Sequence, residues 1–456
     1  MSDTIAAIST GAVISAIGIV RLSGDAAISI ADKVFRASSG LRLADAKDRH
    51  MYYGEITDVD GNAIDLCMCM IAHAPNSYTG ENTVEFHCHG SPVVLSEALR
   101  SLFAHGARQA EAGEFTKRAF LNGRMDLTQA EAVIDLIEAE TPSAAKNAAA
   151  QLQGAVRLRL DSVYESLLEI MAHFHVVVDY PDEEVSEFEA HSYIVTLQSV
   201  LGELSQMLST YSRGRVLING VPTVIIGRPN TGKSSLLNAL LGFERAIVTD
   251  VPGTTRDTIE EKLVIGDMLL RIIDTAGIRS TDDVAEKMGV SRSHEAISRS
   301  SLALLVFDGS MPLQKEDFDV LRCVPESVSK IIVVNKSDLP QMLGDNELLE
   351  LGSDYCRVCS INGEGFDALE ALIKKALPEH TATPVGELIT NARQAESISR
   401  GRDSIAQAIQ AIEISVTPDA VLTDVEEALG AIGEITGKNM REDIVSKIFE
   451  RFCVGK

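Results

Sequence analysis

Apolar residues change rhythm three times along this chain. Up to about Leu121, short apolar or alternating runs (Ile19 to Leu22, Leu66 to Ala72, Thr83 to His87) are broken by glycines and prolines, as strands of an α+β domain are. From Thr128 onward, apolar positions recur at three and four spacing over Gln129 to Glu140, Ser143 to Val178 and Ser192 to Tyr211, which predicts helices. Between Asn219 and Pro378 the runs Val221 to Ile226, Leu269 to Ile273 and Ile331 to Val334 read as strands, each followed by glycine-rich or polar text. Helical periodicity returns over Thr390 to Ile414 and Leu422 to Phe452, with breaks at Thr417-Pro418 and around Gly437.

The order of these blocks predicts a multidomain chain. An α+β domain spans residues 1–121, an all-α helical domain comes in two halves, 122–218 and 379–456, and an α/β domain over 219–378 is inserted between them. Independent helical domains are the alternative. At 456 residues the length suits about three domains, and 45% hydrophobic with 23% charged residues is the balance of an ordinary globular protein.

Charge narrows the partners. A formal net charge of −25 argues against broad electrostatic attachment to nucleic acid or anionic lipid, so an RNA partner has to use a local patch. The apolar run Ala12 to Val20 follows Asp3 without a basic residue and is too short to span a membrane, which leads us to expect a cytoplasmic protein without membrane attachment. Seven cysteines (Cys67, Cys69, Cys88, Cys323, Cys356, Cys359, Cys453) are an odd, scattered set that suits reduced thiols, most of them small buried groups. His87-Cys88-His89 has the residue types of a metal site, but neighbours on a strand face opposite ways, and Cys356-x-x-Cys359 lies on the expected last strand of the α/β domain, where core packing explains it.

The candidate chemistry begins at Gly227 to Ser234, GRPNTGKS, directly after Val221 to Ile226. Two glycines four residues apart let successive backbone N–H groups converge on a polyphosphate, Lys233 reaches its β and γ oxygens, and Ser234 offers a hydroxyl to Mg²⁺. The nucleotide set on this loop and the helix after it reads Asn230, Thr231, Gly232, Lys233, Ser234 and Ser235. Asp274-Thr275-Ala276-Gly277 follows Leu269 to Ile273, where the aspartate can hold the Mg²⁺ shell through water and the Gly277 N–H can sense a γ-phosphate. Thr254 and Thr255 lie between, and one of their hydroxyls completes the metal shell when triphosphate is present.

Asn335-Lys336-Ser337-Asp338 selects the base, because a fixed carboxylate at Asp338 accepts the N1–H and N2–H₂ of guanine together and adenine offers neither donor there. GTP is therefore the expected nucleotide. Cys359-Ser360-Ile361-Asn362 stands where such proteins carry Ser-Ala-Lys behind the base, leaving backbone contact at Ser360 as the expectation. Ile278 follows Gly277 where Ras-like enzymes carry a water-orienting glutamine, so hydrolysis needs other groups. Asn230 offers an oxygen for a monovalent cation and Glu286 a carboxylate for water; each also has a plainer reading, loop geometry for the first and a solvated helix residue for the second.

IVRLSG (19 to 24), SYTGENTVEFHCHG (77 to 90), GEFTKRAFLNGRMDLTQAEAVIDLI (113 to 137), DYPDEEV (179 to 185) and FCVGK (452 to 456), together with the GTPase motifs, make the chain resemble the MnmE (TrmE) family of tRNA-modification GTPases along nearly its full length. The resemblance implies a homodimer whose N-terminal domain binds tetrahydrofolate, with contacts at Arg21, Glu85, Arg124 and Lys456, and a functional cysteine at Cys453, which alone reads as a buried apolar residue. It implies that two GTPase domains meet around K⁺, with Asn230 as side-chain ligand and Thr249, Val251 and Thr254 in the enclosing loop. Thr255 would reach Mg²⁺ and Glu286 would orient the attacking water.

The family's activity adds a carboxymethylaminomethyl or aminomethyl group to C5 of the wobble uridine of certain tRNAs, with 5,10-methylene-tetrahydrofolate (5-formyl-tetrahydrofolate as an analogue) and a flavoprotein partner, MnmG, which would hold the FAD. Val13, Ser15 and Ala16 stand where the family carries glycines, so the loop there is expected to differ. A ribosome-assembly or RNA-binding GTPase of the Era or Der kind is the competing reading. No RNA-binding GxxG module and no second GTPase domain supports it.

Overall fold

A computed structural model describes residues 3–11, 13–179, 187–242, 261–273, 296–377, 386–438, 442–450 and 452–455. Two compact units divide the chain: residues 1–134, 160–164 and 429–456 form one, and residues 135–159 and 165–428 the other.

In the first unit, the alternating text becomes a seven-stranded sheet of β1 (Ile5–Ile8), β2 (Ser15–Ser23), β3 (Phe35–Ala37), β4 (Met51–Thr57), β5 (Ala63–Ala72), β6 (Thr83–Gly90) and β7 (Arg108–Gln109), in the order β3-β4-β5-β6-β2-β1-β7. All neighbours are antiparallel except β1 and β7. The period of two sends Val20, Leu22, Cys67, Cys69, Ile71, Val84, Phe86 and Cys88 to one face, where the helices Ala27–Val34 and Pro92–Ala104 supply Ile30, Val34, Leu95 and Leu102 to the same core. Cys88 is thus buried while His89 is exposed, and among the described residues no group of ligands converges on a metal site.

The other face carries two registered rows, Arg21–Glu85–Met70–Met51 and Ile19–His87–Met68–Tyr53. This face stays open, with Ile17 59%, Tyr53 52% and Leu66 53% exposed. The segment whose glycines are replaced is extended: Ser15 already belongs to β2, which carries a bulge between Ser15 and Ile17, and no residue from Val13 to Gly18 has positive φ.

Helical text was more continuous than the helices are. Ser143 to Val178, expected as one helix, is two, Pro142–Leu152 and Ala155–Asp179, parted by Gly154 at φ +94°. Ser192 to Tyr211 falls almost wholly within one helix, Glu187–Ser209, with Tyr211–Asn219 following it, and the expected break at Gly437 (φ +86°) parts Pro418–Thr436 from Glu442–Phe449. Apolar periodicity runs straight through such breaks because one misplaced turn barely shifts the hydrophobic stripe.

The second unit holds a six-stranded sheet of β8 (Val221–Ile226), β9 (Glu261–Ile265), β10 (Met268–Ile272), β11 (Leu302–Asp308), β12 (Ser329–Asn335) and β13 (Asp354–Arg357), ordered β13-β12-β11-β8-β10-β9. Every pair is parallel except β9 with β10, and central β11 is buried at every position, as a strand covered on both faces must be. Strand order reverses beside β8, so the crevice at its carboxyl end is where such sheets bind ligands. The chain's return from this domain is stitched to flanking helices: Asn147 Oδ1 accepts from Gly386 N at 3.1 Å, Thr210 Oγ1 from Ile389 N at 3.0 Å, and Thr390 Oγ1 donates to Asp135 Oδ2 at 2.9 Å.

An ion network around buried Arg118 and Glu114 secures the first unit. Arg118 pairs with Glu114 at 2.9 Å, Asp3 at 2.7 Å and Glu81 at 3.1 Å, and Arg108 takes the same Glu114 oxygen at 2.5 Å. Burial alone would raise the Glu114 pKa, but Arg108, the Glu111 N–H and Arg118 together hold it below its usual 4.5. A depressed carboxylate pKa contributes stability that is complete above the usual value and is lost as pH falls through the lowered one. Glu114→Gln is therefore expected to cost about 3 kcal/mol at neutral pH, read by denaturant titration, with the gap to the parent closing below pH 4.5; an equal gap at all pH values would contradict this origin.

Candidate functional site

The carboxyl ends of β8, β11 and β12 and the turn after β13 meet around one buried amide. Asn335, 2% exposed at the end of β12, donates from Nδ2 to Thr231 O at 3.1 Å and Gly232 O at 3.4 Å. Its Oδ1 accepts from Ser360 Oγ at 2.8 Å and Ser360 N at 3.3 Å. Gly232 makes this approach possible: it is left-handed (φ +91°), and a Cβ there would sit 2.3 Å from Asn335 Nδ2. The phosphate loop and the base-side turn are thereby fixed to each other.

Helix Lys233–Gly242 begins inside the loop, so its first-turn N–H groups and positive dipole end face the same crevice. Lys233 is folded onto the loop, its Nζ donating to Gly227 O at 2.9 Å and Arg228 O at 2.7 Å, and burial pushes its pKa below the usual lysine value. A polyphosphate would restore the ammonium's counter-charge. Ser234 and Gly232 are half-buried and Ser235 and Asn230 exposed, while Thr231 is buried and donates from Oγ1 to Arg228 O at 3.0 Å.

Asn230 holds a left-handed backbone (φ +64°), and its carbonyl accepts from Lys336 Nζ at 3.0 Å. Lys336, itself left-handed at φ +63°, pairs with Asp308 at 2.6 Å. Desolvation would raise the Asp308 pKa, but Lys336 and Ser310 together hold it below the usual value, so the pair stays charged. Sequence reasoning missed Asp308; a carboxylate ending the apolar run Leu302–Phe307 was its only signal.

Asp338 is exposed, ready to accept from a base, and Cys359 Sγ donates to its Oδ1 at 3.4 Å. Only the strand placement of Cys356-x-x-Cys359 is revised: β13 ends at Arg357, so Cys356 alone lies on the strand, while both cysteines are buried as core packing requires and the Cys359 thiol also reaches the carboxylate. All seven cysteines are free, as expected of reduced thiols.

Thr249, Val251, Thr254, Thr255, Asp274, Thr275, Ala276, Gly277, Ile278, Glu286 and Lys456 lie outside the described residues, as does most of DYPDEEV.

A second constellation occupies the first unit. Arg21 on β2 pairs with Glu85 on β6 at 2.7 Å, both half-buried, and its guanidinium lies 5.6 Å from the ring centres of both Tyr78 and Phe115. His87 Nε2 stands 3.4 Å from the other Glu85 oxygen. Exposed Arg124 lies against Gly80, whose added Cβ would stand 3.3 Å from its side chain. The carboxyl-terminal tail reaches the same neighbourhood: Val454 bridges Ala112, the Cys453 carbonyl accepts from Gly113 N at 3.2 Å, and Gly455 passes so close to β1 that a Cβ would meet Ile8 O at 2.3 Å.

Gly113 lies two residues before Phe115, so the tail and the Arg21 platform share one segment. Cys453 itself is exposed, which corrects its reading from residues alone as a buried apolar group; the tail's backbone pairing, invisible to hydropathy, leaves the side chain outside. The aromatic faces of Tyr78 and Phe115 went unnoticed in the sequence, where nothing marks two rings 37 positions apart as neighbours. Such a platform offers flat faces, a fixed cation and a carboxylate to a planar, hydrogen-bonding ring system.

For the base side, Cys359→Ser replaces a weak thiol donor by a hydroxyl and is expected to tighten GDP binding about three- to tenfold, whereas Cys359→Ala loosens it. Fluorescent-nucleotide titration reads both; identical affinities would show that the thiol does not orient Asp338.

Two family models match the chain, the GTP-binding protein TrmE N-terminus over residues 4–124 and the MnmE helical domain over residues 127–453. The tRNA modification GTPase MnmE of Symbiobacterium thermophilum is 41% identical over 456 residues, covering 100% of this chain and 99% of that protein. That of Geobacillus kaustophilus is 42% identical over 460 residues with the same coverage. Among solved structures, the G domain of the T. maritima FeoB iron transporter matches 35% of this chain and 98% of its own at 23% identity and TM-score 0.26. A variant of Aquifex aeolicus Era bound to GDP·AlF4⁻ matches 40% and 65% at 24% identity and TM-score 0.27. With relatives alike from end to end and both family models matched, the chain belongs to the MnmE family.

Proposed function

We propose that this protein is a GTP-hydrolysing tRNA-modification enzyme that adds a carboxymethylaminomethyl or aminomethyl group to C5 of the wobble uridine, position 34, of certain tRNAs. The observation that carries the reading is likeness to tRNA modification GTPases over the whole chain, so that nucleotide loop, Arg21 platform and tail are matched together. The working unit is a cytoplasmic homodimer that joins an MnmG-like FAD protein in a heterotetramer. Ile17, Tyr53 and Leu66 on the open sheet face are apolar surface of the sort a second copy covers. The domain plan is 1–121, 122–218 with 379–456, and 219–378.

GTP is held by Asn230 to Ser235, Thr249, Thr254, Thr255, Asp274 to Gly277, Asn335, Lys336, Asp338 and Ser360. The exposed carboxylate of Asp338 is placed to accept two guanine N–H donors, and Lys233 supplies cationic charge to the transferring phosphoryl group. Ser234 and Thr255 hold Mg²⁺. Asn230 supplies a side-chain oxygen to K⁺, with Thr249, Val251 and Thr254 enclosing it, and Glu286 orients the attacking water. Among the described residues the Asn230 side chain makes no hydrogen bond, which leaves its amide oxygen available to a cation.

When bound, 5,10-methylene-tetrahydrofolate supplies the one-carbon unit. Glu85 accepts pterin N–H donors, Arg21 holds that carboxylate and the ring plane, and Arg124 and Lys456 meet the glutamate-tail carboxylates. Exposed Cys453 stands at the tail as the reaction-side thiol.

GTP turnover is expected to be faster in K⁺ than in Na⁺ at equal ionic strength, with Asn230→Ala abolishing the difference; equal rates in the parent would defeat the cation role. Mass spectrometry of tRNA nucleosides from cells lacking the protein should show unmodified wobble uridine, restored by the parent and not by Cys453→Ser. Intact modification in the deleted cells would sink the reading.

A further inference from the structure

The Arg228 side chain leaves the phosphate loop and crosses to the helix Lys315–Cys323. Its Nε donates to Asp317 Oδ1 at 2.6 Å and its Nη1 to Gln314 Oε1 at 2.8 Å. The contact is dry, with 2% of the Asp317 side chain and 13% of Arg228 exposed. Asp317 uses its second oxygen to accept from Gln314 N at 2.9 Å, closing the reciprocal cap of that helix. One carboxylate therefore serves both a helix start and the loop.

The placement runs against simple electrostatics. A guanidinium beside a helix amino terminus faces the positive end of the dipole, so the capping helix gains nothing from Arg228 beyond what Asp317 already provides. The gain lies at the arginine's other end. The Arg228 carbonyl accepts from Thr231 Oγ1 and Lys233 Nζ, so fixing this residue fixes both partners. Two residues on, the Asn230 carbonyl is tied through Lys336 to Asp308. The short span 228–230 is thus pinned at both ends to different elements, with left-handed Asn230 at one of them.

We propose that Arg228 is a positioning residue, anchored by Asp317 and Gln314, that holds the loop so that Lys233 and Asn230 meet the γ-phosphate and its monovalent cation. The cation part rests on the K⁺ reading given above. The latch acts on geometry in the hydrolytic step and leaves base recognition, on the far side of Asn335, to other residues.

Three variants of the full-length protein test it: Arg228→Met, which removes the latch but keeps the helix cap; Asp317→Asn, which weakens both; and Glu316→Gln, which removes an exposed charge from the same turn. Arg228→Met and Asp317→Asn are expected to lower kcat about tenfold or more, and to raise the K⁺ concentration for half-maximal turnover several-fold. GDP affinity should stay within about threefold of the parent, and Glu316→Gln should behave as the parent. Unchanged kcat and K⁺ requirement in both latch variants would overturn the proposal, as would a loss of GDP affinity in step with kcat, which marks a merely structural role. A parent equally active in K⁺ and Na⁺ would remove the cation reading alone; kcat of the variants at retained GDP affinity would then decide the latch by itself.

Discussion

The crevice at the carboxyl ends of β8, β11 and β12 depends on the buried amide of Asn335. A primary amide carries two N–H donors and a carbonyl acceptor at different edges of one plane, and this residue spends them on the loop and on Ser360. Low surrounding dielectric strengthens those bonds and makes any unmade one costly, so the two halves of the site are held in one relative position. Gly232 is the necessary counterpart, because any Cβ would occupy the amide's place. Loop and turn are therefore held in register at this one residue, although more than a hundred positions separate Thr231 from Asn335 in sequence.

The other compact unit solves a similar problem with charge. Arg118 is too buried to be left alone, and three carboxylates from β1's approach, the loop before β6 and its own helix surround it. Phe115, one turn earlier on that helix, lies under Arg21, so the network that fixes the helix also fixes the platform. The tail then joins the segment before the helix, where Gly113 leaves room beside Phe449 and Phe452. The tail is held against that segment by backbone pairing and close packing.

Much of this was legible in the sequence. Val221–Ile226 was readable because a buried parallel strand is mainly apolar, here interrupted only by Thr223 beside Pro222, and GRPNTGKS after it admits few structures. The break at Gly437 was readable because glycine is the residue that leaves a helix left-handed; Gly154 does the same, yet strong periodicity on both sides masked it. Arg21 and Glu85 could be named separately, but their pairing depends on the β2–β6 register, which no local pattern fixes. Asp308, Asp317 and the contact of Cys359 with Asp338 escaped notice for a common reason: each acts through a partner distant in sequence, and its own type is ordinary where it stands.

Asn230 shows how a residue type can be tested against the backbone it occupies. Left-handed geometry costs most side chains on the order of 1 kcal/mol and glycine nothing, while asparagine is among the least penalised. Glycine would thus satisfy this position at least as well if geometry were the whole requirement, and the Lys336 bond to the carbonyl would survive the exchange, since it involves backbone alone. Retaining an exposed amide in place of hydrogen leaves the backbone no better placed. What the amide adds is an oxygen at the edge of the loop that makes no hydrogen bond among the described residues, and the loop's two anchors hold the Asn230 backbone in place. Geometry explains why asparagine is tolerated there, and the proposed cation role is what would make use of the amide.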